Sequence, residues 1–105
     1  MEDNEFVMVA FNIIANVGDA RSNYINAIDL AAEGKYEEAE EKIELAKTAF
    51  NEGHAAHQGL LTKFANGELP PMDILLTHAE DQLMSAEAFG ILAERFITLY
   101  KKVNG

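Results

Sequence analysis

The sequence predicts an all-α protein, an antiparallel three-helix bundle built from long helices. Three observations predict it. The two prolines are adjacent, Pro70 and Pro71, so every other stretch is free of proline. Apolar residues recur at steps of three and four, the period of a helix, and do not alternate as in a strand. The interruptions, Glu33-Gly34-Lys35 and Asn66-Gly67-Glu68-Leu69, are short, and connections of that length make neighbouring helices antiparallel. The predicted helices cover 3–33, 36–65 and 71–103. Helices of this size are each roughly 45 Å long. With 105 residues, 1–105 reads as one domain around one core.

The first helix carries an apolar set of Phe6, Val7, Ala10, Ile13, Ile14, Val17, Ala20, Tyr24, Ala27, Ile28 and Ala31. Asn12, Asn16, Asp19 and Asn23 form a separate polar stripe. Gly18 costs about 1 kcal/mol against alanine in a helix interior, so it is expected to mark a bend or a close helix contact. In the second helix the seam is Tyr36, Ala39, Ile43, Ala46, Phe50, Gly53, His57, Leu60 and Phe64. Its alternating steps are heptad spacing, which implies left-handed bundle geometry. The opposite face, with Glu37, Glu38, Glu40, Glu41, Glu44, Lys42 and Lys47, reads as a solvated surface with some i,i+4 pairs.

The third helix is apolar around more of its girth than a three-helix bundle needs. One stripe holds Ile74, Leu75, Phe89, Leu92, Ala93, Phe96, Leu99, Tyr100 and Val103. It is interrupted once, by His78, Asp81, Gln82 and Ser85, which share a face when the chain winds at about 100° per residue. A second strip holds Met72, Leu76, Ala79, Leu83, Ala86, Gly90 and Ile97. Together the two cover about 220° of the wheel, where an outer helix needs roughly 100–140°. Self-association accounts for the surplus, with one strip inside the chain and the other against symmetry mates. If the mates meet on an axis, Ile74, Asp81, Ala88, Leu92 and Leu99 face it. Asp81 would then meet its own copies, and must be protonated, hydrogen-bonded or neutralised by a cation.

Composition removes several function classes. There is no cysteine, which excludes disulfides, thiolate metal sites and thiol catalysis. The formal charge of −10 argues against nucleic acid and anionic membranes as partners. No stretch reaches the 18 or so consecutive apolar residues of a membrane span. The apolar run from Phe6 to Phe11 follows Glu2, Asp3 and Glu5, where a secretory signal would carry positive charge, so a cytoplasmic protein is expected.

The polar break around His78 is the strongest candidate site, because unpaired polar groups in an apolar seam cost about 1–3 kcal/mol each. His78 reads as a nucleophile that accepts a group, or as a general base. Asp81 and Gln82 can orient it, Gln82 can also donate to an oxyanion, and Ser85 adds a further donor. His54 and His57 lie i,i+3 on the second helix, and His57 either fills the seam as a structural residue or lines the same site. A zinc site from His54, His57, His78 and Asp81 is conceivable, but nothing in the spacing demands it. Gly-rich phosphate loops, nucleophile elbows and paired Glu-x-x-His motifs are absent. Asp19-Ala20-Arg21-Ser22 is locally polar and reads as structural.

Three stretches resemble a known family: Asn16-Val17-Gly18-Asp19-Ala20-Arg21-Ser22, Phe50-Asn51-Glu52-Gly53-His54, and Leu76-Thr77-His78-Ala79-Glu80-Asp81-Gln82-Leu83-Met84. The last looks like the H-x-Q-D-H-L-M signature of the lactose/cellobiose (diacetylchitobiose)-type enzyme IIA of the bacterial phosphoenolpyruvate-dependent sugar phosphotransferase system. The resemblance implies a homotrimer, a nine-helix bundle of three such chains. It implies that 1–105 is a single IIA domain. It implies that His78 accepts a phosphoryl group from the phosphocarrier HPr and passes it to the IIB component, which serves a membrane component that imports a disaccharide. It also implies that Asp81, one from each subunit, gathers on the three-fold axis, where Mg2+ or another divalent cation balances it.

The chain departs from the family pattern at three places. Glu80 stands where Gln is usual, Gln82 where His is usual, and His57 where Gln is usual. Gln82 can still donate to phosphate but cannot carry positive charge, and a charged donor is worth more. His57 is expected to supply the missing donor, so the expected phosphate site is His78 with Gln82 and His57. A second reading, favoured by Glu80 and Gln82, is a non-transferring helical adaptor or regulatory paralogue that keeps the trimer. A third, a metal-dependent helical-bundle enzyme, lacks a full ligand set.

Overall fold

The computed structural model describes residues 3–104. Three helices follow one another along the chain, α1 (Asp3–Ala32), α2 (Tyr36–Ala65) and α3 (Ile74–Asn104). They form a rod of 54 × 20 × 19 Å. Among the described residues no helix is long and apolar enough to cross a membrane. α1 packs closely on both other helices, while α2 and α3 meet more sparsely.

Both helix ends at the turns close in the same way. The Lys35 amide donates to the Leu30 carbonyl at 2.9 Å and the Gly34 amide to Ala31 at 3.0 Å. Glu68 donates to Lys63 at 2.9 Å and Gly67 to Phe64 at 3.0 Å. These are paired Schellman closures, and the residue at C′ must adopt positive φ. Gly34 (φ 81°) and Gly67 (φ 90°) occupy those positions.

The third helix starts at Ile74, later than the 71 expected from the prolines. Asp73 is the reason, because its Oδ1 accepts the Leu76 amide at 2.8 Å. A side chain that caps in this way defines the N-cap, and Pro70 and Pro71 stay outside the helix.

The core follows the heptad steps. From α1 it takes Phe6, Ala10, Ile13, Val17, Ala20, Tyr24, Ala27 and Ala31. From α3 it takes Leu76, Ala79, Leu83, Ala86, Ala93 and Ile97, with Gly90. The strip of α3 turned inward is thus the one rich in Ala and Gly. Small residues let the axes come close. A Cβ placed on Gly90 would lie 2.8 Å from Tyr24 Cζ, and one on Gly53 would lie 2.6 Å from Val17 Cγ1. Gly18 has nothing within 4 Å of such a Cβ, so the expected close contact falls at Gly53 and Gly90 instead. Phe64, expected in the α2 seam, is 59% exposed, because the chain turns away at Gly67 before α3 can cover it.

Candidate functional site

Much of the α3 stripe that carries His78 faces outward, although Ala93 within it is buried and Leu75, Phe89 and Tyr100 pack against the core. Ile74 is 89% exposed, Leu99 50% and Val103 71%, and Asp81 and Ala88 are exposed on the same line. His78 lies one turn into α3 and is exposed. It stands in a shallow hollow with Met72, Asp73, Ile74, Thr77 and Asp81. Among the described residues no side chain hydrogen-bonds its ring. Asp81 therefore does not orient His78 within one chain. The imidazole is open to an incoming group on the surface of the rod.

Gln82 is half-buried one turn further on, about 40° around the helix from His78, so its amide belongs to the same face. Ser85 follows at the next turn. There the structure adds a residue that sequence reasoning had set aside as structural. Arg21 Nη1 of α1 approaches Ser85 Oγ at 3.5 Å, and its guanidinium lies 5.9 Å from the centre of the Phe89 ring. This half-buried cation is held by a hydroxyl and an aromatic face, about two turns or roughly 10 Å along the axis from His78. The available signal was its place in the first family-like stretch.

His57 does not join His78. Its Nε2 contacts both carboxylate oxygens of Glu80, at 3.0 and 2.9 Å. A carboxylate only accepts, so Nε2 carries the proton. Glu80 follows His78 by two residues, about 200° around the helix, which places this contact on the α2 side of α3. The nitrogen expected to donate at the phosphate site is thus committed elsewhere. His54 stacks on Phe50 at 5.9 Å and its Nε2 lies 3.4 Å from the Gln58 amide nitrogen. Among the described residues no three His, Asp or Glu side chains are grouped to hold a metal, so the zinc arrangement does not assemble within the chain.

Next to the hollow, a cavity of about 510 Å3 opens between the end of α2 and residues 69–72. Its lining is apolar (Leu60, Leu61, Phe64, Leu69, Pro70, Met72 and Leu76) except for Thr77 and Glu80. Met72 and Thr77 border both concavities, so the surface around His78 continues into an apolar rim.

The chain matches the family model described as "PTS system, Lactose/Cellobiose specific IIA subunit" over residues 8–101. It is 34% identical to a PTS system lactose-specific EIIA component of Streptococcus mutans, covering 97% of this chain and 98% of that one. It is likewise 34% identical to a lichenan-specific phosphotransferase enzyme IIA component of Bacillus subtilis, covering 97% and 93%. Among solved structures, the PTS cellobiose-specific enzyme IIA of Bacillus anthracis superimposes with a TM-score of 0.90 at 41% identity, covering 92% of this chain and 89% of that one.

Proposed function

Because the chain belongs to the lactose/cellobiose-specific IIA family of the phosphotransferase system, we propose that it is a cytoplasmic phosphocarrier that takes a phosphoryl group from phospho-HPr on His78 and passes it to the IIB component during disaccharide uptake. The observation that carries this reading is His78 itself: a histidine with no hydrogen-bonding side-chain partner among the described residues, exposed in a hollow, within the family-like stretch.

The chemistry asks little of the fold. A neutral ring nitrogen of His78 attacks phosphorus in line; the new P–N bond forms as the bond to the donor breaks. Gln82, on the same face, donates from its amide to a phosphoryl oxygen, and the near end of α3 favours the added negative charge. The reverse attack by IIB regenerates His78. The apolar rim through Met72 and Thr77 offers each partner a small contact area, which suits two partners that must dock in turn and leave.

Assembly belongs to the same proposal. The exposed line Ile74, Asp81, Ala88, Leu92 and Leu99 is the face that three copies bury against one another. Asp81 from each copy then supplies hard oxygen donors suited to Mg2+ or another divalent cation, which when bound offsets the gathered negative charge. The adaptor reading has less to stand on, because Glu80, one of its two supports, is occupied by His57. The relay decides between the two. Labelled phosphate supplied through phosphoenolpyruvate, enzyme I and HPr should pass through the wild-type chain to a IIB component and stop at His78→Ala. Equal passage through both proteins would defeat the proposal.

A further inference from the structure

The mechanism above leaves the His57–Glu80 contact without a role. Resting on the reading of His78 as acceptor, we infer that His57 is a positioning residue for phosphoryl transfer: by donating a hydrogen bond it holds Glu80 on the α2 side of α3, so that this carboxylate does not turn toward and repel the phosphoryl group arriving at His78.

The contact is well made. Both Glu80 oxygens lie within 3.0 Å of Nε2, and the His57 side chain is 13% exposed against 50% for Glu80. The other ion pairs between α2 and α3 are longer: Lys47–Glu94 at 3.8 Å and Lys101–Glu40 at 3.7 Å, with both partners about half exposed. Thr77, the residue before His78, lines both the apolar cavity, which Glu80 also lines, and the His78 hollow. A Glu80 released from His57 would thus turn freely at the border of the docking surface.

Charge makes the position matter. A phosphoryl group brings about −1.5 to −2 at neutral pH. Asp73 and Asp81 already line the hollow. Asp73 is engaged by the Leu76 amide at the start of α3. Asp81 is the residue assigned to the cation between copies. Glu80 is the third carboxylate near His78, and His57 holds it by a hydrogen bond.

The test is a two-residue cycle, His57→Gln, Glu80→Gln and the double variant, assayed for the rate of phosphoryl acceptance from phospho-HPr at low salt. His57→Gln should be slower by about threefold to fivefold, as expected for one released carboxylate charge roughly 10 Å from a doubly charged group in a wet setting. Glu80→Gln should match or exceed wild type, and the double variant should recover. The His57→Gln deficit should also fade toward 1 M salt, where screening acts over about 3 Å. A purely structural tie would show neither rescue nor salt dependence. An unslowed His57→Gln, or a double variant as slow as His57→Gln, overturns the inference while leaving the phosphocarrier reading intact. A wild-type chain that accepts no phosphate overturns both.

Discussion

Two glycines on one helix should respond in opposite directions to the same substitution. Gly53 and Gly59 both lie inside α2, and alanine at either gains about 1 kcal/mol of helix propensity. At Gly59 the new methyl meets nothing within 4 Å. Gly59→Ala should therefore stabilise by about 1 kcal/mol. At Gly53 the methyl would stand 2.6 Å from Val17 Cγ1, with Asn16 Cβ and the Ile13 carbonyl oxygen each at 3.5 Å. Val17 is 1% exposed, and a valine in a helix has essentially one χ1 rotamer, so it cannot step aside. Overpacking of this kind costs typically 1–3 kcal/mol. Set against the propensity gain, Gly53→Ala should destabilise by up to about 2 kcal/mol. The assay is urea unfolding of both variants at one fixed protein concentration, since the proposed assembly would make apparent stability depend on concentration. Thermal midpoints should move apart in the same sense, by about 4–8 °C per kcal/mol for a chain of this size. A Gly53→Ala protein as stable as Gly59→Ala would refute the close α1–α2 approach on which the bundle geometry rests.

Asp73→Ala should cost about 1 kcal/mol by removing the N-cap of α3, read as a lower urea midpoint with unchanged slope. Burial is the main cause that raises the Tyr24 pKa above its ordinary value, with Glu94 and Glu44 adding to it. The folded chain then keeps this proton above about pH 10 while the unfolded chain loses it, so Tyr24 makes stability fall as pH rises through that range. Tyr24→Phe should unfold with a flatter alkaline limb, checked by thermal scans at successive pH values. Wild-type assembly should weaken when divalent cations are chelated, whereas Asp81→Asn should hold its assembly with or without chelator, as measured by native mass; equal sensitivity in both would separate Asp81 from any cation.

Within the apolar set read on α1, Phe6, Ala10, Ile13, Val17, Ala20, Tyr24, Ala27 and Ala31 step by four and three without a break and are all buried, while Val7, Ile14 and Ile28 beside them are half-buried. On α3 the two strips are both apolar, and hydrophobicity alone does not choose between them. Size does: Ala79, Ala86 and Gly90 allow close approach, so the inward strip is the small one, joined by Ala93 from the other stripe, and His78 is left outside. The start of α3 turned on a local competition in which the Asp73 side chain outranked Pro71. The partner of His57 was beyond periodicity. Which residue of α3 it meets depends on the register of two helices that touch sparsely, and register is a property of the turn and the core together. Arg21 was hidden for the same reason, since its contacts lie 64 residues away in the chain at Ser85.

Intact mass reads directly whether His78 carries the phosphoryl group. After incubation with phosphoenolpyruvate, enzyme I and HPr, each wild-type chain should gain the mass of one phosphoryl group. The gain should be lost in acid and kept in base, as for a phosphoramidate, and should map to the peptide containing His78. His78→Ala, folded to the same helical content, should gain nothing. A wild-type chain that gains no mass, or a His78→Ala chain that gains as much as wild type, would contradict the account.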